Sequence, residues 1–234
     1  MNQAAEYSYV GSELDLFMNA TNWKKYWAGK LRPFVSGDVL DVGAGLGATF
    51  DYLNEGATSW TCLEPDAGLC AQLQQRLATH ARPPRVLAGT LDALAADARF
   101  DTIVYIDVLE HIEADRAELS AAARLLRPGG TLVVLSPAFQ FLYSPFDRSV
   151  GHFRRYTRAT LRALTPAGLS VKSWFFLDGL GVGASLFARL AKKKAPTVGQ
   201  IDTWDKLLVP VSRVTDSLTS RLFGRSIIMV WAKD

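Results

Sequence analysis

Seven consecutive residues, Asp41-Val42-Gly43-Ala44-Gly45-Leu46-Gly47, carry the densest chemical signal in this 234-residue chain. An acid closes an apolar run, and glycines follow at every second position. Glycine has no Cβ, so such a turn takes positive φ readily and lets backbone approach a ligand closely. The spacing is Gly-x-Gly-x-Gly, not the Gly-x-Gly-x-x-Gly of a pyrophosphate-binding turn. Asp41 would repel a phosphate and attract an ammonium or a sulfonium. A second acid, Glu64, stands 21 residues after Gly43 in Leu63-Glu64-Pro65-Asp66. An acid at about that distance accepts hydrogen bonds from ribose hydroxyls. A third, Asp92 in Gly89-Thr90-Leu91-Asp92, is placed to accept an adenine amine, with Leu91 packing on the ring. Read singly, Asp41 and Asp92 are equally helix or turn caps, and Glu64 a surface acid. Read together, they fringe successive strand ends. S-adenosylmethionine, a nucleoside with two cations and no phosphate, satisfies all three.

A second group of reactive residues lies further along. His111 and His152, two of three histidines, are candidate bases for a hydroxyl that must lose a proton. An amine acceptor would need none, and His111 reads equally as a helix-start residue that shapes a pocket. The segment 137–157 leaves an apolar strand and carries Phe139, Phe141, Tyr143, Phe146, His152, Arg154, Arg155 and Tyr156. Phe139 and Tyr143 are candidate acceptor contacts, and Tyr156 would orient an acceptor or simply pack. Arg154 and Arg155 offer either a clamp for a carboxylate or phosphate or ion pairs with acidic surface. Cys62 and Cys70 lack histidine neighbours at metal-ligand spacing, so no metal site is expected.

The elements that must position these residues follow from pattern. Hydrophobic residues make up 49% and charged residues 21%, which excludes a disordered, collagen-like or disulfide-stapled chain. Residues 12–35 read as helix, forming an N-terminal helical cap over 1–35. Short apolar runs at 39–42, 59–63, 86–87, 100–106, 131–136, 171–176 and 226–231 read as strands, and helical periods at 67–80, 113–126 and 158–166 alternate with them. Thr157 is the candidate N-cap of the last. Strand–helix alternation predicts α/β architecture, a mostly parallel sheet with helices on both faces. Residues 137–157 read as a lid loop. An insertion over 179–222 reads as two amphipathic helices, around 181–194 and 202–222. It is expected to be a lid or dimer surface, or an element that meets anionic lipid through its apolar face and Lys192-Lys193-Lys194. Charge is divided: residues 1–147 carry 11 basic against 18 acidic residues, and 148–194 carry ten basic against Asp178 alone. The first suits a cationic ligand and the second an anionic one. The N-terminus lacks a basic-then-apolar leader, and no stretch reaches the roughly 20 apolar residues of a membrane span. A cytoplasmic protein is expected.

The motifs at 41–47 and 64–66, Leu91-Asp92, Phe100-Asp101 through Asp107-Val108-Leu109-Glu110-His111-Ile112, and Pro128-Gly129-Gly130 resemble the successive motifs of class I S-adenosylmethionine-dependent methyltransferases, of a type-11/12-like small-molecule branch. The resemblance covers residues 35–136 closely. It implies a seven-stranded Rossmann-like sheet with a reversed last strand, preceded here by the helical insertion. It implies that Asp41, Gly43, Ala44, Gly45 and Gly47 face the methionine part, Glu64 and Pro65 the ribose, and Leu91 and Asp92 the adenine. Backbone at Asp107 would line the sulfonium side. The expected reaction is methyl transfer to a hydroxyl or amine of a small, anionic, glycosylated or lipid-linked molecule, by a monomer or homodimer; with no separate basic nucleic-acid domain, no nucleic-acid partner is expected. The alternatives are an RNA or protein methyltransferase, an NAD-dependent oxidoreductase, and a non-enzymatic cofactor-binding partner subunit.

Overall fold

The computed structural model describes residues 13–191, 195–219 and 221–234. The start of the expected N-terminal cap and the lysines at 192–194 lie outside the described residues. In chain order come α1 (Glu13–Phe17), α2 (Thr21–Leu31), β1 (Gly37–Val42), α3 (Ala48–Leu53), β2 (Ala57–Glu64), α4 (Ala67–Leu77), β3 (Arg85–Ala88), β4 (Phe100–Ile106), α5 (Asp115–Leu125), β5 (Leu126–Pro137), α6 (Pro145–Ser149), α7 (Arg158–Ala163), β6 (Leu169–Leu177), α8 (Gly181–Leu190), α9 (Val198–Thr203), α10 (Val209–Leu218) and β7 (Ser226–Lys233).

The seven strands form one sheet in the order β3-β2-β1-β4-β5-β7-β6. The β1–β2, β1–β4, β2–β3 and β4–β5 pairs are parallel, and β7 runs antiparallel to both β5 and β6. This is the expected Rossmann-like sheet with a reversed final strand. The central strands are apolar on both faces because both are covered: Val39 and Leu40, Ile103 and Val104, Leu132 to Leu135, and Ile227 to Trp231 are all fully buried. Such continuous runs are the mark of a doubly covered sheet. One core lies under α2, α3 and the insertion, with Trp23, Trp27, Phe50, Leu53 and Trp204; the other lies under α5 and α7, with Leu109, Leu119, Leu161 and Trp231. Strand order reverses between β1 and β4, which places a crevice at their carboxyl ends, where α/β sheets bind ligands.

Two expectations are corrected. The continuous helix over 12–35 is divided after Phe17, and a 3-10 turn, Arg32–Phe34, ends it. The second helix of the insertion begins at Val198 rather than near 202 and continues without a break to Leu218, with a π-helical turn at Trp204–Leu208 between α9 and α10. Buried carboxylates fix these pieces. Asp205 accepts from the Trp23 and Asn22 amides at 2.8 and 3.2 Å, capping α2 from a distant element. Asp216 accepts from the Tyr26 hydroxyl (2.9 Å) and the Asp178 and Gly179 amides (2.7 and 2.9 Å). Asp178 accepts from Ser212, the Trp204 indole and the Gly181 amide. The Thr157 hydroxyl caps α7, accepting from the Thr160 amide.

Asp216→Ala leaves the buried Tyr26 hydroxyl and Asp178 amide and the half-buried Gly179 amide without an acceptor, each buried one costing about 1–3 kcal/mol. Urea unfolding is expected to show a loss of roughly 3 kcal/mol or more. A change below roughly 0.5 kcal/mol, within the ordinary range of surface substitutions, contradicts the role of this carboxylate as the tie between α2, β6 and α10.

Candidate active site

A cavity of about 1150 Å³ opens at the carboxyl ends of β1, β2 and β4. Gly43, Ala44 and Gly45 form one wall, Glu64 and Pro65 the floor beside it, and Asp107, Glu110, His111 and His152 the wall beyond β4. Trp27, Ile201, Leu208 and Phe187 close the side formed by α2 and the insertion.

The glycine turn is built as its sequence requires. Gly43, Gly45 and Gly47 have φ of +66°, +52° and +82°. A Cβ on Gly43 would stand 2.8 Å from Val108, and one on Gly47 would meet Arg76 and Leu73. The Gly43 and Ala44 amides donate to the Leu63 carbonyl at 2.8 and 3.1 Å. The Gly45 amide donates to Glu64 Oε2 at 2.7 Å, and the Asp66 amide to Oε1 at 2.9 Å. Glu64 is 4% exposed and on the cavity wall. Burial pushes its carboxyl above the usual range, and the two amides pull it back. Each oxygen keeps a lone pair for a hydroxyl donor. Asp107, at the end of β4, adopts φ +54° and is exposed on the same wall.

Other predicted residues lie elsewhere. Asp41 is 1% exposed, beneath the turn and off the wall, with Oδ2 lacking a hydrogen-bond partner. Burial is the main reason its carboxyl is raised to about 8. Gly47 and Leu91 are behind the wall, and Asp92 is exposed on the 3-10 turn Leu91–Ala93, not on the cavity. The spacing of these acids was right for the strand ends, but a strand's pleat and the turn after it decide which way each points.

The loop after β5 is tied down rather than open. Phe139 N donates to the Tyr156 carbonyl, and Phe153 N to that of Glu110. Tyr156 is buried; its hydroxyl donates to Asp115 Oδ2 at 2.9 Å and does not reach the cavity. Burial first, and then Asp115, raise its phenol. Arg154 pairs with the same Asp115 oxygen at 2.6 Å, so of its two readings the ion pair holds. Phe139 stacks on Phe176 at 4.9 Å, and Tyr143 donates to the His152 carbonyl; neither is on the wall. Arg155 is on the wall, but its guanidinium is engaged in a two-pronged contact with Asp147 at 2.7 and 3.0 Å.

The structure adds residues that the sequence reading passed over. Glu110 is fully buried against Ser136, and burial, then the Asp107 charge, push its carboxyl well up. Asp147 accepts from His152 Nδ1 at 3.0 Å. Burial opposes its ionisation, yet His152, Arg155 and Ser144 more than offset that and hold its carboxyl well below the usual range. Burial, then His152, lowers the His111 imidazole to about 3. Glu110 had one signal available, its position directly before His111; Asp147 and Arg225, which also lines the cavity, had none.

Residues 40–132 match the model of a family described as a methyltransferase domain. An uncharacterized methyltransferase of Mycobacterium tuberculosis (strain ATCC 25618 / H37Rv) is 37% identical over 99 residues, 42% of this chain and 49% of that protein. The ubiquinone biosynthesis O-methyltransferase of Paracidovorax citrulli is 32% identical over 108 residues, 44% of this chain and 45% of the other. These matches span about half the length of those relatives. A S-adenosylmethionine-dependent methyltransferase from Clostridium acetobutylicum, solved by crystallography, superposes with a TM-score of 0.59 at 12% identity, covering 94% of this chain and 96% of that one.

Asp41 yields a test of the buried floor. Unfolded, it titrates near 3.8; folded, near 8. Between these values the folded chain holds a proton that the unfolded chain has lost, so stability falls as pH rises from about 4 through 8. Urea midpoints measured from pH 5 to 8 are expected to decline less in Asp41→Asn than in the wild type, by up to roughly 1 kcal/mol per pH unit. Parallel pH profiles would contradict the buried neutral carboxyl.

Proposed function

We propose, from the premise that this chain carries a class I S-adenosylmethionine-dependent methyltransferase domain, that it transfers a methyl group to a hydroxyl or amine of a small molecule with a lipid-like part. The observation that carries the reading is Glu64, braced by the Gly45 and Asp66 amides with its face to the cavity. S-adenosylmethionine, when bound, supplies a methyl group already activated on a sulfonium. Glu64 would accept the ribose hydroxyls, and Pro65 would pack beside the sugar. The Cβ-free turn at Gly43 and Gly45 lets backbone lie against the amino-acid part. Asp107, exposed at the strand end, offers negative charge to the cationic side. What remains for the chain is alignment, which is worth up to ~7–11 kcal/mol in favourable cases. His111 and His152 are what the wall offers to the proton of a hydroxyl; an amine needs neither.

The acceptor class follows from the far wall. Phe187, Ile201, Leu208 and Trp27 are apolar, and the cavity of about 1150 Å³ lies just above the upper end of the roughly 300–1,000 Å³ usual for ligand pockets. Beside this wall the insertion leaves large apolar side chains exposed: Phe187 is 64%, Leu207 63%, Val214 62% and Leu218 80% exposed. Lys206 and Arg213 are exposed on the same stretch of chain, Lys206 paired with Asp202 and Arg213 lying over the Tyr26 ring. Among the described residues no helix is long and apolar enough to cross a membrane. A basic amphipathic face of this kind suits the surface of an anionic bilayer, from which a lipid-linked acceptor would enter the cavity.

Incubated with donor labelled in its methyl group and with membrane lipid extract, the protein is expected to label the lipid phase, and Glu64→Ala to lower that transfer at least tenfold, about 1.4 kcal/mol. Transfer unchanged in a folded Glu64→Ala variant would contradict the site. In sedimentation with anionic vesicles, binding is expected at low salt and is expected to fall as salt screens the basic residues. Absence of binding at low salt removes the lipid surface from the account.

A further inference from the structure

The wall beyond β4 holds a set of donor atoms that cofactor binding does not use. Glu110 is fully buried. Its Oε2 accepts from the Ser136 hydroxyl at 3.0 Å, while Oε1 has no hydrogen-bond partner. His152 Nε2 lies 4.0 Å from that oxygen, too far for a hydrogen bond. The His111 and His152 rings meet edge to face with centroids 4.5 Å apart. One donor atom each from Glu110, His111 and His152 lies within 4.8 Å of the other two. Two ligands that each stand about 2.0–2.2 Å from a shared ion are separated by roughly 3–4 Å. The gap between Oε1 and Nε2 therefore has the size that an ion would fill.

The surroundings are those of a ligand set. Asp147 is fully buried and takes hydrogen bonds from Ser144 N and Oγ, Arg155 and His152 Nδ1. A carboxylate only accepts, so Nδ1 carries the proton and Nε2 presents its lone pair toward Glu110. Orientation of a ligating histidine by a carboxylate on its other nitrogen is the usual outer partner of a metal site. All three donor residues border the cavity.

We propose that Glu110, His111 and His152 form a site for one divalent ion of the zinc class, with an open position toward the cavity. Two imidazoles and one carboxylate suit zinc and its first-row neighbours rather than magnesium or calcium. Three protein ligands leave a coordination position for an oxygen or nitrogen of the methyl acceptor. Ion binding stands independently of the methyltransferase reading; the acceptor's role as a ligand rests on it. In this arrangement His111 and His152 are ligands and neither is the base. The proposal departs from the expectation from sequence of no metal site, which rested on cysteines and on linear spacing, whereas His111 and His152 lie 41 residues apart along the chain.

The test uses the full chain, stripped with a chelator and dialysed. Calorimetry with Zn²⁺ is expected to give one equivalent per chain, and Co²⁺ to give the strong visible bands of a four-coordinate nitrogen and oxygen site. His111→Gln and His152→Gln, with unchanged circular dichroism, are each expected to weaken Zn²⁺ binding at least about 100-fold, and Asp147→Asn about 10–100-fold. His80→Gln, at the exposed histidine, is expected to change nothing. Absence of Zn²⁺ and Co²⁺ uptake by the folded wild type at millimolar ion overturns the proposal, as does uptake unchanged in the His111→Gln/His152→Gln double variant. If the variants fail to fold, imidazole ¹⁵N shifts in the wild type decide: Nε2 of His152 moves on adding Zn²⁺ if the site is real, and stays in place if it is not. S-adenosylhomocysteine is titrated separately without metal, so a chain that takes the ion and not the nucleoside keeps this site and loses the methyltransferase reading.

Discussion

One buried carboxylate holds the ligand-binding end of the sheet together. Glu64 leaves the end of β2 and takes the Gly45 amide in one oxygen and the Asp66 amide in the other. A carboxylate taken from water is costly unless its oxygens are satisfied. Those two amides satisfy them, and in doing so they lock the turn after β1 to the strand beside it. The turn then has no freedom to carry a side chain: at Gly43 a methyl group would strike Val108 after β4. Three strand ends are thus mutually fitted, and the crevice between them is a consequence of that fit. Because strand order reverses between β1 and β4, no crossover helix covers it.

The opposite side of the cavity depends on a different use of buried charge. The insertion between β6 and β7 reaches the core through Ile201, Trp204 and Val209, while α10 leaves Val211, Val214 and Leu218 exposed. It is held by Asp178, Asp205 and Asp216, each buried and each hydrogen-bonded to backbone or side chains of other elements. Arg225 pairs with Asp178 at 3.2 Å and lies over the Trp204 ring at 4.2 Å. Geometrically specific contacts of this kind fix where a helix sits without burying its outer face. That leaves an apolar exterior beside an apolar cavity wall, the combination from which the lipid-linked acceptor is argued.

How much of this the sequence disclosed follows the range of each interaction. The strands and the glycine turn are local patterns, and all seven strands form where apolar runs stood. The acids were placed on the right strand ends, but their direction was not in the spacing. Glu64 faces the cavity, whereas Asp41, two residues before the first glycine, is turned under the floor. The loop 137–157 misled for a different reason. Its reactive residues are consumed by other partners: Arg154 and Tyr156 by Asp115, distant in sequence, and Arg155 by Asp147 within the loop itself. The cluster of Glu110, His111 and His152 joins the end of β4 to that loop, and no linear motif spells it.

The central claim is that the crevice beside Glu64 holds an adenosine bearing an amino-acid tail. Isothermal titration of the wild-type chain with S-adenosylhomocysteine, with NAD as the comparison, addresses it without knowledge of the acceptor. The account predicts one binding site per chain for S-adenosylhomocysteine and no heat from NAD. A folded chain that gives no heat with millimolar S-adenosylhomocysteine, or that binds NAD instead, would contradict it.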